Sequence, residues 1–287
     1  MKLKVYFMQE LHRTWRIILT HKYMLMFYVV IASVTQLQAY SLEYKAAMSA
    51  APTDIAQAVA SGSLLLWAET LAAICIFSMI TAKMKRTAVG KVSVFGLFGI
   101  VAYSSMFLVV YLITALVMLG LLYTSLGGTS LLDGTPTDPE DAKHIAGTMM
   151  LFIPLVMGFP YAASALALRQ FAKNNAIKAI SKRMKRQERK KYGYLPSYIV
   201  FFNVWKQLVT KPYYVVLSIL FVLLVSPEIY LPDALKSSML STFIVITGHV
   251  LLLLIYLSAY NGGLISYLLL PTVDDEEENQ GNSVDGI

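Results

Sequence analysis

The chain has 287 residues, of which 57% are hydrophobic and 14% charged, with a net charge of +7. That balance excludes an ordinary soluble domain, in which roughly a quarter of residues are charged. The single cysteine, Cys75, excludes an intrachain disulfide and a thiolate metal cluster.

Residues 1–22 open the chain as a predicted interfacial amphipathic helix. Phe7, Met8, Leu11, Trp15, Ile18 and Leu19 recur at helical spacing, with Lys4, Glu10, Arg13 and Arg16 on the other face. The first apolar run follows without a cleavable leader pattern, so it is expected to stay as an uncleaved membrane helix. A bilayer core of about 30 Å takes roughly 20 apolar residues per helix. Six spans fit, near 23–42, 62–82, 98–125, 145–168, 212–230 and 239–260. The first four lie in the segment 23–168 and the last two in 212–270.

Span two carries Glu69, the one acid inside an apolar run. Gly96 and Gly99 near the start of the third run suggest an interfacial or re-entrant lead-in. Between spans three and four, residues 127–144 are turn-rich and acidic and read as an exposed loop. Span four contains Pro154 and Pro160, expected to interrupt or kink it. Residues 169–211 then read as a basic cytoplasmic loop. Lys178, Lys182, Arg183, Lys185, Arg186, Arg189, Lys190 and Lys191 supply a surface for anionic headgroups or a soluble partner, or serve topology alone.

A second interfacial helix precedes span five, with Tyr198, Phe201, Phe202, Trp205 and Leu208 in phase. It aligns with the first at an offset of 190, Trp15 to Tyr23 against Trp205 to Tyr213. Trp15, Trp205, Tyr23 and Tyr213 are accordingly expected as interfacial anchors. The last apolar run is too long for one span. Its 33 residues from Ser238 to Leu270 would make a helix of about 50 Å. Asn261, Gly262 and Gly263 mark the expected break. Residues 271–287 form an acidic tail, read as disordered.

All 24 Lys and Arg residues except Lys45, Lys143 and Lys236 fall on one side of this pattern. Loops that retain Lys and Arg stay in the cytoplasm, so both termini are expected there, in the cytoplasmic membrane of a bacterium. The fold class is thus an all-α polytopic membrane protein with about six spans and two interfacial helices.

Ionisable groups inside a membrane are costly and usually face the bundle interior. Glu69 and His249 fit that description, at about 10 Å and 16 Å below the outer surface. They would meet if spans two and six pack together. The pair reads as proton-linked or substrate-contacting, or simply as a hydrogen bond between helices. Asn261 is a third intramembrane polar candidate. No catalytic motif, no nucleotide site and no metal-ligand spacing is present, so no enzymatic activity, cofactor or metal is expected. Basic segments do not interleave with aromatics on a soluble scaffold, which argues against nucleic acid.

The layout of an in-plane helix, six spans and cytoplasmic termini resembles the membrane subunit of an ABC exporter of the six-span type. It departs from that type in having its largest cytoplasmic loop between spans four and five rather than two and three. The resemblance implies a permease for a hydrophobic or amphipathic substrate, energised by a separate ATPase. The alternative is a non-catalytic scaffold, assembly, immunity or regulatory protein packed against other membrane subunits. Either role admits a homo- or hetero-oligomer.

Overall fold

A computed structural model describes residues 2–49, 52–89, 94–125, 139–180, 193–227, 230–231 and 239–268. Its eight described helices are α1 (Lys2–Thr20), α2 (Lys22–Ser49), α3 (Pro52–Val89), α4 (Val94–Ser125), α5 (Pro139–Ile180), α6 (Ser197–Thr210), α7 (Pro212–Val225) and α8 (Met239–Leu268). No strand occurs among the described residues. Helices α2, α3, α4, α5 and α8 are long and apolar enough to cross a bilayer. The pair α6–α7 passes the same length and composition test only as a unit, bent by 88° at its break.

The bend has a local cause. Proline lacks the N–H a helix needs and pushes the preceding residue out of the helical region. Lys211, just before Pro212, sits at φ −130° and ψ 61°. Its N–H still donates to the Gln207 carbonyl at 2.8 Å, closing α6. At the aligned position, His21 donates to the Ile17 carbonyl at 2.9 Å, closing α1 in the same way. Lys22 imposes no proline constraint there, and Leu25 N–H donates back to the His21 carbonyl at 3.1 Å. The helical path therefore resumes at once into α2.

Helices α5 and α8 occupy the centre. Over its apolar window α5 is 56% buried, against 17% for α4. Ala162, Ala163, Ala165, Ala167, Ala172 and Ala176 are all buried on α5. Such small side chains let helix backbones approach closely where lipid supplies no hydrophobic drive. The outer helices direct large apolar side chains away from the protein, among them Phe27, Val30, Leu64, Trp67, Ile113 and Leu116. An outward apolar surface of this extent is compatible with lipid contact and unlike a soluble monomer.

The expected interruptions do not occur. Helix α5 runs unbroken through Pro154 and Pro160, and α8 runs unbroken through Gly262 and Gly263. Neighbouring helices compensate a proline inside a packed bundle, and α4, α7 and α8 all pack on α5. The glycines serve close approach. A Cβ on Gly263 would lie 2.2 Å from the Arg169 carbonyl oxygen, and one on Gly262 2.8 Å from Arg169 Nη1. Gly96 and Gly99 likewise lie within the single helix α4. Helix α5 also extends to Ile180, so Arg169 and Lys173 belong to it rather than to a loop.

Of the pairs aligned at offset 190, the two tyrosines meet different surroundings. Trp15, Trp205 and Tyr23 are exposed, Tyr23 at 77%. Tyr213 is only 1% exposed and is not a surface anchor. Its ring packs edge-on against Phe7 at 5.1 Å, and its hydroxyl pairs with Thr14 Oγ1 at 2.8 Å. Tyr213 follows the 88° turn between α6 and α7, and Tyr23 follows His21, where Leu25 N–H bonds back to the His21 carbonyl. Helix α6 is fastened to α4 by Tyr111, stacked on Phe201 at 5.3 Å and edge-on to Trp205 at 5.9 Å.

Candidate functional site

Helices α2, α3 and α8 bring four polar side chains together within the apolar interior. Thr35 and Gln36 come from α2, Glu69 from α3 and His249 from α8. His249 Nδ1 lies 2.6 Å from Glu69 Oε1. With the carboxylate ionised, that nitrogen must be the donor. Gln36 Nε2 donates to Glu69 Oε2 at 2.6 Å, and Thr35 Oγ1 lies 3.3 Å from the same oxygen. Thr35 divides its one proton with the Ile31 carbonyl, 3.0 Å away. Glu69 is 3% exposed, a burial that a carboxylate tolerates only with such partners.

A cavity of about 400 Å³ adjoins the pair. Its wall is mainly apolar and aromatic, with Phe77, Leu108, Tyr161, Phe221 and Leu252 contributing from five helices. It lies between two packed clusters, one holding Tyr28 and Phe77 and the other Phe221. A second polar group adjoins it, with Ser104 of α4 and Tyr256 of α8 in its wall and Ser164 of α5 buried behind them. Tyr256 Oη donates to Ser164 Oγ at 3.1 Å, and Ser164 Oγ donates to the Ser104 carbonyl at 3.0 Å. An apolar wall with a few convergent polar groups is the usual form of a small-molecule site. Chemically, the Glu69–His249 contact can hold one proton between carboxylate and imidazole. The Tyr256–Ser164 chain can orient a polar end of a bound molecule.

Asn261 does not join this group. It lies about 18 Å further along α8 and lines two other cavities, together with residues of α1. Lys178 is exposed, with its Nζ 5.5 Å from the centre of the Tyr194 ring. Lys182, Arg183, Lys185, Arg186, Arg189, Lys190 and Lys191 lie outside the described residues, as do the acidic tail and residues 126–138.

A second buried polar network was not anticipated from the sequence. Glu10, placed above on the solvent face of α1, is 0% exposed. Arg169 Nη1 donates to its Oε1 at 2.8 Å and Arg13 Nη1 to the same oxygen at 2.9 Å. Tyr214 Oη donates to Oε2 at 3.2 Å. Arg169 also reaches the Tyr6 and Tyr214 hydroxyls at 3.3 and 3.1 Å. Thr14 extends the network to Ser258 at 3.1 Å. Burial alone would raise the Glu10 carboxyl pKa. The Arg169 guanidinium, followed by Arg13 and the Tyr6 hydroxyl, outweighs it and holds the carboxyl below the usual range. This network ties α1, α5, α7 and α8 together at one end of the bundle.

At the same end Gln170 and Asn174 hold the segment entering α6. Gln170 Nε2 donates to the Gly193 carbonyl at 3.0 Å, and Asn174 Oδ1 accepts the Leu195 N–H at 3.1 Å. Gly193 has φ +80°, the left-handed region that favours glycine.

No group of three or more metal-ligating side chains is found among the described residues. Comparison with family models, with curated proteins and with solved structures finds no match for this chain.

Proposed function

We propose that this chain is a multi-pass membrane transport component, a permease for a hydrophobic or amphipathic substrate energised by a separate ATPase subunit. Six crossings, with both termini in the cytoplasm, accompany that reading. The sixth is supplied by α7 after the in-plane helix α6. The observation that carries it is the Glu69–His249 pair, 2.6 Å apart at the edge of a mainly apolar cavity of about 400 Å³. An ionisable pair in an apolar bundle is expensive, and residues of this kind mark substrate or proton pathways. The aromatic wall suits an apolar body, and the two polar groups suit one polar end.

The test begins with purification of the tagged chain from its native membranes in mild detergent. A nucleotide-hydrolysing subunit is expected to accompany it, with hydrolysis stimulated by amphipathic substrates. Glu69→Gln is expected to abolish that stimulation while leaving assembly intact. Stimulation that survives Glu69→Gln removes the pair from the transport cycle.

One observation favours a second reading, a non-catalytic scaffold. Both oxygens of Glu69 are engaged, as are both oxygens of the structural Glu10. On that reading Glu69 only fastens α2, α3 and α8, and its replacement would alter stability without altering any flux.

A further inference from the structure

Where α1 meets α8, two cavities of about 690 and 330 Å³ share Arg16, Asn261 and Ile265 as a common wall. The larger adds Val5, Met8, His12 and Arg13, and the smaller adds Thr20, His21 and Lys83. The lining of each cavity thus combines cationic with apolar side chains, and among the described residues no carboxylate lines either cavity. Buried Glu10 is committed to Arg169 and to Arg13, so Arg13 already has a counter-charge, and Arg16 and Lys83 are left as the cations of the groove.

Among the described residues, Arg16 and Lys83 form no ion pair. A buried group points the same way. His21 is 6% exposed, lines the smaller cavity, and has a ring Nδ1 without a hydrogen-bond partner. A buried polar atom without a partner calls for an explanation, and an unseen ligand is one. Burial, with the Lys83 charge added, holds the His21 ring below its usual pKa. An anion seated here would offset both effects and offer an acceptor for a ring N–H.

We propose that this groove is a binding site for the phosphodiester headgroup of an anionic phospholipid. Arg16 and Lys83 supply the charge, and His21, Thr20 and the Asn261 amide supply donors. One acyl chain lies along Val5, Met8 and Ile265. The apolar wall selects a lipid over free phosphate, because a small anion makes no use of it. It continues outward into Leu11, Trp15 and Leu19 of α1, all exposed. Near a membrane surface, each basic residue contributes enough attraction to an anionic lipid that removing two should weaken binding about 30-fold.

The experiment uses the full chain in neutral detergent, with lipid binding followed by native mass spectrometry and by thermal unfolding. Dioleoyl phosphatidylglycerol, dioleoyl phosphatidylcholine and inorganic phosphate are the three probes. Phosphatidylglycerol is expected to bind and raise the melting temperature. Phosphatidylcholine, with the same chains and phosphate, should bind at least tenfold more weakly. The double variant Arg16→Gln, Lys83→Gln should lose about 30-fold in phosphatidylglycerol affinity. The charge-conserving pair Arg16→Lys, Lys83→Arg should keep most of it, which separates charge from folding. Lys178→Gln should change nothing. The proposal fails if the Gln double variant binds phosphatidylglycerol normally, or if Lys178→Gln abolishes binding. It fails equally if inorganic phosphate alone reproduces the thermal shift, since the site would then serve a small anion.

Discussion

Breaking the Glu10–Arg169 pair should cost more than removing it. The two side chains are 0% and 9% exposed and 2.8 Å apart. Glu10→Leu leaves the Arg169 guanidinium with only two neutral phenols, Tyr6 at 3.3 Å and Tyr214 at 3.1 Å. A buried charge stripped of its counter-charge costs about 3–5 kcal/mol. Arg169→Met is milder, because Glu10 keeps Arg13 at 2.9 Å, and Arg13 is 23% exposed. Its cost should fall near 2–3 kcal/mol. Removing both charges leaves no stranded ion, so the double variant should lie within about 1–2 kcal/mol of the parent. Thermal unfolding in detergent measures the cycle. At roughly 2–4 °C per kcal/mol, Glu10→Leu should lower the midpoint by about 10 °C and the double variant by under ~5 °C. Strict additivity of the two single losses would refute the pair as a coupled buried unit. The pH dependence follows from the lowered Glu10 pKa. Such a carboxylate stabilises fully above its unfolded pKa, about 4.3, and the contribution is lost as pH falls through the depressed folded value. Acidification below about pH 4 should therefore destabilise the parent more than the double variant.

Gly263→Ala should cost roughly 1–3 kcal/mol, since its methyl would meet the Arg169 carbonyl and Ala172 Cβ, at 2.2 and 2.8 Å. Gly120→Ala, with nothing within 4 Å, is the neutral control in the same melting assay. His249→Leu should destabilise by stranding Glu69, and adding Glu69→Leu should recover most of the loss, read by the same unfolding midpoint. Tyr213→Phe should lose about 0.5–1.5 kcal/mol with its 2.8 Å bond to Thr14. Tyr23→Phe, at an exposed position, should change stability by less than about 0.5 kcal/mol.

The long apolar helices and the Glu69–His249 contact were legible in the sequence for one reason. Against long apolar runs an isolated carboxyl and imidazole stand out, and their depths made contact feasible once α3 and α8 packed together. Glu10 and Arg169 gave no such contrast. Each sits in a stretch already rich in charge, and they are 159 residues apart. Local periodicity assigned Glu10 to the solvent face with Arg13 and Arg16. The buried stripe of α1 is instead Glu10, Thr14 and Ile17, while Met8, Leu11 and Trp15 point outward. Helix α1 thus inverts the usual rule that the apolar face is the packed one. Gly262 and Gly263 carried a true signal read in the wrong sense, because a glycine pair permits a break and a close approach alike. Arg169 fills the space their missing side chains leave, with its guanidinium against Gly262 and its carbonyl against Gly263. The aligned segments 15–23 and 205–213 each contain a helix end, at Thr20 and at Thr210, and the second is followed by an 88° bend at Pro212.

Membrane threading is tested most directly by single-cysteine labelling in a Cys75→Ser background. Ser130→Cys, Ser181→Cys, Ser237→Cys and Ser283→Cys are each exposed to a membrane-impermeant maleimide in intact cells. Positions 130 and 237 are expected to label at once, and positions 181 and 283 only after permeabilisation. Labelling of 181 and 237 from the same side would mean that α7 turns back without crossing, and labelling of 181 and 283 from opposite sides would contradict the six-crossing topology outright.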